Sequence, residues 1–423
     1  MLKVVLIIAT FMKILLMIDR WLKDKIRLDP SKKHVILIKG PRNSGKSVLL
    51  RALFSEHDPS VHWIDGDCLS HREFYSGVEM NGNHNFMDGK EVIIIEQVQR
   101  FEDPARTIHQ IFERFSFTHL VITASVSIDL FSGYHSLQDF NYEELILHPV
   151  SYTELTREFG KTVEDRFFED RLRFGCYPVI VEDNHANRME IMNSLIDDFL
   201  CKDLFANDRI KKNAILTRLL KLLAERIGEI ISFNDLAKNT GVDKETIERY
   251  IDALERAYII FQLNTFSGNS KLELKKSRKI YFFDNGIRNA ILSDFSPIHE
   301  RKDVKVLIEN YLLSERVKYN YSRGYFPRLG FWKTVQQLEV SYLEQGDHLM
   351  EAFVLHDINN LISRSLKAFS KSYPEAQITR IDPKGISKFI SNDYNSYENE
   401  KEYNNKRINT RKDIEDQSEW EVD

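Results

Sequence analysis

Gly40-Pro41-Arg42-Asn43-Ser44-Gly45-Lys46-Ser47 lies between the strand-like run His34-Val35-Ile36-Leu37-Ile38 and the apolar-periodic segment Val48-Leu49-Leu50-Arg51-Ala52-Leu53-Phe54. Its spacing, G-x-x-x-x-G-K-[ST], is that of a loop that cradles phosphates. A glycine-bounded turn lets successive backbone N–H groups face an anion, and a helix starting near Gly45 aims its positive end at the same point. Lys46 then reaches the β- and γ-phosphates, and the Ser47 hydroxyl meets Mg²⁺. A chance glycine turn could share the spacing, but not the strand before it and the helix after it. The stretch predicts a nucleoside triphosphate site lined by residues 40–47.

Outward from the loop, residues 34 to about 148 alternate short apolar runs with longer polar-periodic segments, as in a parallel sheet covered by helices. Strands are expected at 34–39, 60–65, 91–96, 118–124 and 143–147. The run Glu91-Val92-Ile93-Ile94-Ile95-Glu96 ends in an acid where a phosphate-loop enzyme keeps its metal-organising carboxylate, so Glu96 joins Ser47 as the expected Mg²⁺ pair. Leu120-Val121-Ile122-Thr123-Ala124-Ser125 ends in two hydroxyls that a neighbouring strand would set beside the γ-phosphate. Read alone, that run is equally an ordinary strand end.

The 423 residues carry a formal net charge of −5, with 42% hydrophobic and 29% charged residues. This is material for several packed units, with no overall pull toward nucleic acid. Cys68, Cys176 and Cys201 lie far apart without ligand spacing, which argues against a disulfide framework or zinc site and fits a reducing, cytoplasmic setting. The apolar run from Val4 to Ile18 is interrupted by Lys13, too short for a span and without a cleavage site before the charged Asp19–Lys25 segment. It is expected to form an N-terminal helix (1–25) packed on the core or on a partner rather than a peripheral membrane anchor, with no transmembrane span.

After the sheet unit (26–150), residues 151–222 read as a helical lid or arm, with a turn at Phe174-Gly175-Cys176-Tyr177-Pro178. Residues 223–295 give two short helices around Thr240-Gly241-Val242-Asp243 followed by a strand-like Tyr258–Leu263, the pattern of a winged helix-turn-helix. Its second helix balances Glu245, Glu248 and Glu255 against Lys244, Arg249 and Arg256, so packing is favoured over DNA contact. Lys271, Lys275, Lys276, Arg278 and Lys279 keep a DNA contact in view beside the plainer reading of a solvated charge run. Residues 387–423 lack apolar periodicity and read as a disordered tail.

Together these residues resemble prokaryotic AAA-type ATPases that carry a winged helix and a C-terminal restriction-endonuclease-like domain, here 296–386. The phosphate loop, Val98-Gln99, Thr123-Ala124-Ser125, Leu147–Ser151, Gly175–Pro178 and Lys279–Arg288 all resemble that family's landmarks. The resemblance implies ATP with Mg²⁺ as cofactors and an α/β P-loop core of AAA+ type, followed by lid, winged helix and nuclease-like domain. Two departures stand out. The family's Asp-Glu pair is Glu96-Gln97, and an amide cannot take a proton from water, a loss that typically costs ~10²–10⁴ in rate. Glu309-Asn310, Glu339-Val340-Ser341-Tyr342 and Glu351-Ala352-Phe353 resemble the nuclease motifs without their aspartate and lysine, so no cleavage is expected.

The resulting expectation is an ATP-binding switch with slow hydrolysis, in which Glu96 organises metal, Gln97 orients water weakly, and Thr123 and Ser125 sense the γ-phosphate. Arg100, Arg106 and Arg114 are candidates for transition-state contacts within the unit or across a subunit interface; for each, surface arginine is the plainer reading. The rival readings are a DNA-binding regulator that uses ATP structurally and an inert scaffold. Homo-oligomerisation and a protein partner stay open.

Overall fold

The structure, a computed structural model, describes residues 18–28, 34–76, 89–114, 119–128, 130, 141–182, 187–199, 213–266, 277–346, 350–355, 360–381 and 386–390. Most of the N-terminal apolar run, Arg114's side chain, Lys271, Lys275, Lys276 and the tail beyond Ile390 lie outside the described residues.

Five parallel strands form the first sheet: β1 (His34–Lys39), β2 (Val61–Asp65), β3 (Val92–Glu96), β4 (His119–Ala124) and β5 (Asn141–Ile146), in the order β2-β3-β4-β1-β5. Helices on both faces explain why the inner strands read as unbroken apolar runs. Successive side chains point to opposite faces. Val35, Leu37, Ile93, Ile95, Leu120 and Ile122 therefore bury on one side with Ile108 and Ile111 of α3 (Pro104–Arg114). Ile36, Ile38, Ile94 and Val121 bury on the other with Leu49 and Leu50 of α1 (Lys46–Leu53). The helix α2 (Leu69–Ser76) follows β2. Pairing Ile38 with Thr123 and Asp65 with Glu96 brings the carboxyl ends of β1 to β4 together, where ligands of open parallel sheets bind.

A helical stretch follows, comprising α4 (Tyr152–Phe159), α5 (Lys161–Arg166), α6 (Phe168–Phe174), α7 (Pro178–Val181), α8 (Arg188–Asp198) and α9 (Asn213–Glu225). Ser151 and Glu154 close a capping box at the start of α4, satisfying two of its orphan donors. Then come β6 (Ile230–Ile231), α10 (Phe233–Thr240), α11 (Lys244–Arg256), β7 (Ile260–Thr265) and β8 (Arg278–Phe282). Ser232 and Asp243 cap the two helices, and Gly241 turns between them at φ 74°. The helices α12 (Asn285–Leu292) and α13 (Val304–Ser322) lead to β9 (Arg328–Lys333), β10 (Glu339–Gln345), β11 (Met350–Leu355), α14 (Asn360–Ser372), β12 (Gln377–Ile381) and α15 (Ile386–Ile390).

The sequence reading draws a boundary near residue 295, yet strands from both sides share one seven-stranded sheet, β12-β11-β10-β9-β7-β8-β6. The join is parallel pairing of Asn264 with Gly330 and Thr265 with Phe331. A Cβ on Gly330 would stand 2.2 Å from the Phe266 ring and 2.5 Å from the Asn264 carbonyl, so glycine is what admits the close approach. The helix α13 crosses the sheet buried on nearly every side, and most of its buried polar side chains are paired, the Tyr311 hydroxyl excepted. Asn310, for example, accepts from the Phe282 amide and donates to the Phe282 carbonyl. The helix α15 buries Phe389 and Ile390, so packed structure runs slightly past residue 387.

Candidate functional site

Gly40 leaves β1 at φ 146°, and a Cβ there would sit 2.1 Å from the Leu147 carbonyl oxygen. Asn43 takes φ 62°, and Gly45 caps α1 at φ 98° without a side-chain bond. The first N–H groups of a helix lack intrahelical partners, so this end of α1 presents donors to an anion. Lys46 is buried, its ammonium 2.7 Å from the Gly40 carbonyl and 2.9 Å from that of Pro41. Ser44 is fully buried and its hydroxyl has no hydrogen-bond partner. A glycine-tight cradle, a helix start, a buried ammonium and an orphaned hydroxyl fit a polyphosphate. Residues 40–47 thus form one loop and the start of α1.

The metal half differs. Glu96 is buried at the end of β3, but its Oε2 accepts from Arg51 Nη2 at 3.0 Å and its Oε1 from Nη1 at 3.4 Å. Ser47 lies one helical turn before Arg51 on α1. With its carboxylate held by a guanidinium, the expected pair Ser47 and Glu96 does not fit a divalent cation as arranged.

Gln97, Thr123 and Ser125 are brought together, though they bind each other. The Gln97 backbone, at φ 53°, donates to Thr123 Oγ1 at 3.0 Å. Its side-chain oxygen accepts from Ser125 Oγ at 2.6 Å and Gln99 Nε2 at 2.8 Å. Gln99 in turn accepts from the Ser125 amide. Its place in the family-like Val98-Gln99 pair was the signal for it.

Other residues here escape sequence reasoning. Arg20, 6% exposed, donates to Glu154 Oε1 at 2.9 Å, the Ser44 carbonyl at 2.6 Å and the His148 carbonyl at 2.5 Å. It ties the phosphate loop to the chain leaving β5 and to α4. Burial pushes the Glu154 carboxyl up, but Arg20 and the amides of Ser151 and Trp21 outweigh it and hold the group below its ordinary value. His148 stacks on Phe283 with both ring nitrogens unpartnered. Burial, and then the charges of Lys318 and Arg20, press its pKa well below 6.5, so it is neutral. Asp67 bridges Arg42 at 2.6 Å and Arg100 at 3.1 Å. Of the candidate arginines, Arg100 therefore stands at the phosphate loop, whereas Arg106 is exposed on α3.

Far from this loop, Glu309 accepts from the Tyr281 hydroxyl, and Glu339 pairs with Lys279 and Lys333. Glu351 lies opposite Glu344, which Arg316 grips at 2.9 and 2.8 Å while lying over the Phe353 ring. Among the described residues no group of three or more His, Cys, Asp or Glu could hold a metal ion, and no helix is long and apolar enough to cross a membrane.

Residues 32–156 match the AAA domain family, and residues 165–297 match a domain of unknown function, DUF8612. The first match places an AAA-type P-loop domain at residues 32–156, around the 40–47 loop. An uncharacterized protein of Haemophilus influenzae is 22% identical over 311 residues, 68% of this chain and 75% of its own. One from Mycobacterium tuberculosis is 24% identical over 339 residues, 79% and 73% of the two chains. Among solved structures, the Aeropyrum pernix ORC1 protein in complex with DNA has 12% identity and a TM-score of 0.29, covering 62% of this chain and 87% of its own. A Signal Transduction ATPase with Numerous Domains from Pyrococcus horikoshii, with a tetratricopeptide repeat sensor, has 12% identity and a TM-score of 0.25, covering 70% and 46%. At these scores neither structure adds to the fold described above.

Proposed function

We propose that this protein captures ATP in the 40–47 loop, hydrolyses it slowly and acts as an occupancy switch. The observation that carries this reading is the Gln97 amide, fixed by Ser125 and Gln99 where a general base would stand. Gly40, Gly45 and Lys46 hold the phosphates, and Thr123 and Ser125 report on the γ-position through their bonds to Gln97. A route outward is short. Ser127, two residues past Ser125, donates its amide to the Arg256 carbonyl at 2.6 Å and accepts from the Arg256 guanidinium at 2.9 Å. Arg256 ends α11.

The order β6-α10-α11-β7-β8 supports reading that segment as a winged helix used for packing. Its second helix offers phosphate no surplus charge, and Lys244 already pairs with Glu248 at 3.1 Å. The C-terminal strands fit a nuclease-like domain that has lost cleavage, since Arg316 and Phe353 fill the face where a metal and a lysine would act.

Single-turnover hydrolysis with purified protein, using Lys46→Ala as the blank, tests the reading. Stoichiometric capture with turnover near the blank is expected. Turnover far above the blank would sink slow hydrolysis, and no capture would sink the whole reading.

A further inference from the structure

We infer that the Arg51 guanidinium takes the place of the divalent cation at Glu96, so that the domain captures ATP without needing Mg²⁺. This rests on the ATP-binding reading above and specifies how charge is managed in the same site.

The argument begins with one methylene. An aspartate at the end of β3 would hold its carboxylate about 1.5 Å closer to the strand. The glutamate reaches across to α1, where both of its oxygens meet Arg51. Arg51 follows Ser47 by one turn, so hydroxyl and guanidinium share a face of the helix that starts at the phosphate loop. The guanidinium is held from other sides as well: its Nε donates to Glu56 at 2.6 Å, and it lies over the Trp63 ring, 5.3 Å from the centroid. Arg51 is about half exposed, whereas Glu96 is buried, so Arg51 supplies the positive charge that this buried carboxylate needs.

A divalent ion at Glu96 would have to break the guanidinium pair and then sit beside the displaced positive charge. Arg51 already balances the acid. That neutralisation is built into the chain and cannot be chelated. Arginine stays charged at any working pH and pairs with carboxylates in a fixed fork. The pairing thus takes over the charge balance of the metal without its Lewis acidity, which agrees with capture without rapid hydrolysis.

Isothermal titration of ATP into the full chain, in EDTA and in excess Mg²⁺, tests this directly. The wild-type Kd should differ by less than about threefold between the two conditions, under 1 kcal/mol. Glu96→Asp, which withdraws the carboxylate from Arg51, and Arg51→Gln should each bind about tenfold or more weakly in EDTA than in Mg²⁺. A wild-type affinity that falls by more than about tenfold in EDTA overturns the proposal. So do variants whose EDTA-to-Mg²⁺ ratio stays at the wild-type value. The wild-type comparison decides the matter even where a variant fails to fold. Wild-type protein that binds no ATP in either condition fails the parent reading instead, a result plainly different from binding that depends on metal.

Discussion

Replacing Arg20 with alanine removes one side chain and unpairs three sites. Glu154, almost completely buried, loses its cation, and the carbonyls of Ser44 and His148 lose a charged donor. Breaking a buried ion pair by deleting one partner costs about 3–5 kcal/mol. Glu154 keeps donors in the Ser151 amide, the Ser151 hydroxyl and the Trp21 amide, which places its share near the lower end. The expected loss is about 3–4 kcal/mol, or roughly 6–16 °C in the melting of a unit of 150–250 residues. Trp21, next in the chain, is one of four tryptophans, so intrinsic fluorescence follows this melting together with that of the rest of the fold.

Acid adds a second readout. The folded-state pKa of Glu154 is lowered, so its contribution is present above the ordinary value of 4.5 and is lost as pH falls through the folded value. Arg20→Ala should flatten that acid-side decline. A melting shift below about 1 °C, or full additivity of Arg20→Ala with Glu154→Gln in a double-mutant cycle, would refute the bracket.

Three further outcomes follow from named contacts. Gln97→Glu keeps the donors Ser125 and Gln99 and restores a base, so single-turnover hydrolysis should rise by at least ~10-fold, and an unchanged rate would show that Gln97 does not limit turnover. His148 is held neutral in the fold, so stability should fall by up to about 1.4 kcal/mol per pH unit below its ordinary 6.5 until the folded pKa is reached. His148→Phe should remove that slope in chemical denaturation, and parallel pH profiles would contradict it. A Cβ on Gly66 would lie 2.3 Å from the Gln97 carbonyl and 2.8 Å from that of Glu96. Gly66→Ala should therefore cost about 1–3 kcal/mol and weaken ATP capture, and a melting curve that matches the wild type would count against it.

The parallel sheet was legible because its inner strands are buried on both faces and bounded by turns, so composition alone marks them. The phosphate loop was legible because backbone geometry enforces glycine at Gly40 and Gly45. Arg20 was not, since its partners lie 24 and 134 positions away and nothing local marks an arginine as a bracket. The Arg51 pairing hid in a segment read for its apolar period, where a charged residue looks like surface. Glu96 stands where the resembled family has an aspartate, and nothing local in the sequence says where its longer side chain points. The boundary drawn near residue 295 followed the family resemblance, which carries no information about which strand edges of this chain meet.

The join of β7 to β9 bears on how the molecule is made. A chain leaving the ribosome can close its first sheet once β5 has emerged, because every partner strand is already present. The other sheet cannot close so early: β7 appears with one edge bare, and its neighbour β9 is translated only after the intervening helices. Until then the nascent protein displays an open, apolar strand edge of the kind that recruits foreign strands. Prematurely terminated products ending between α12 and β9 should accordingly be insoluble or chaperone-bound, whereas products ending soon after β5 should not carry that hazard.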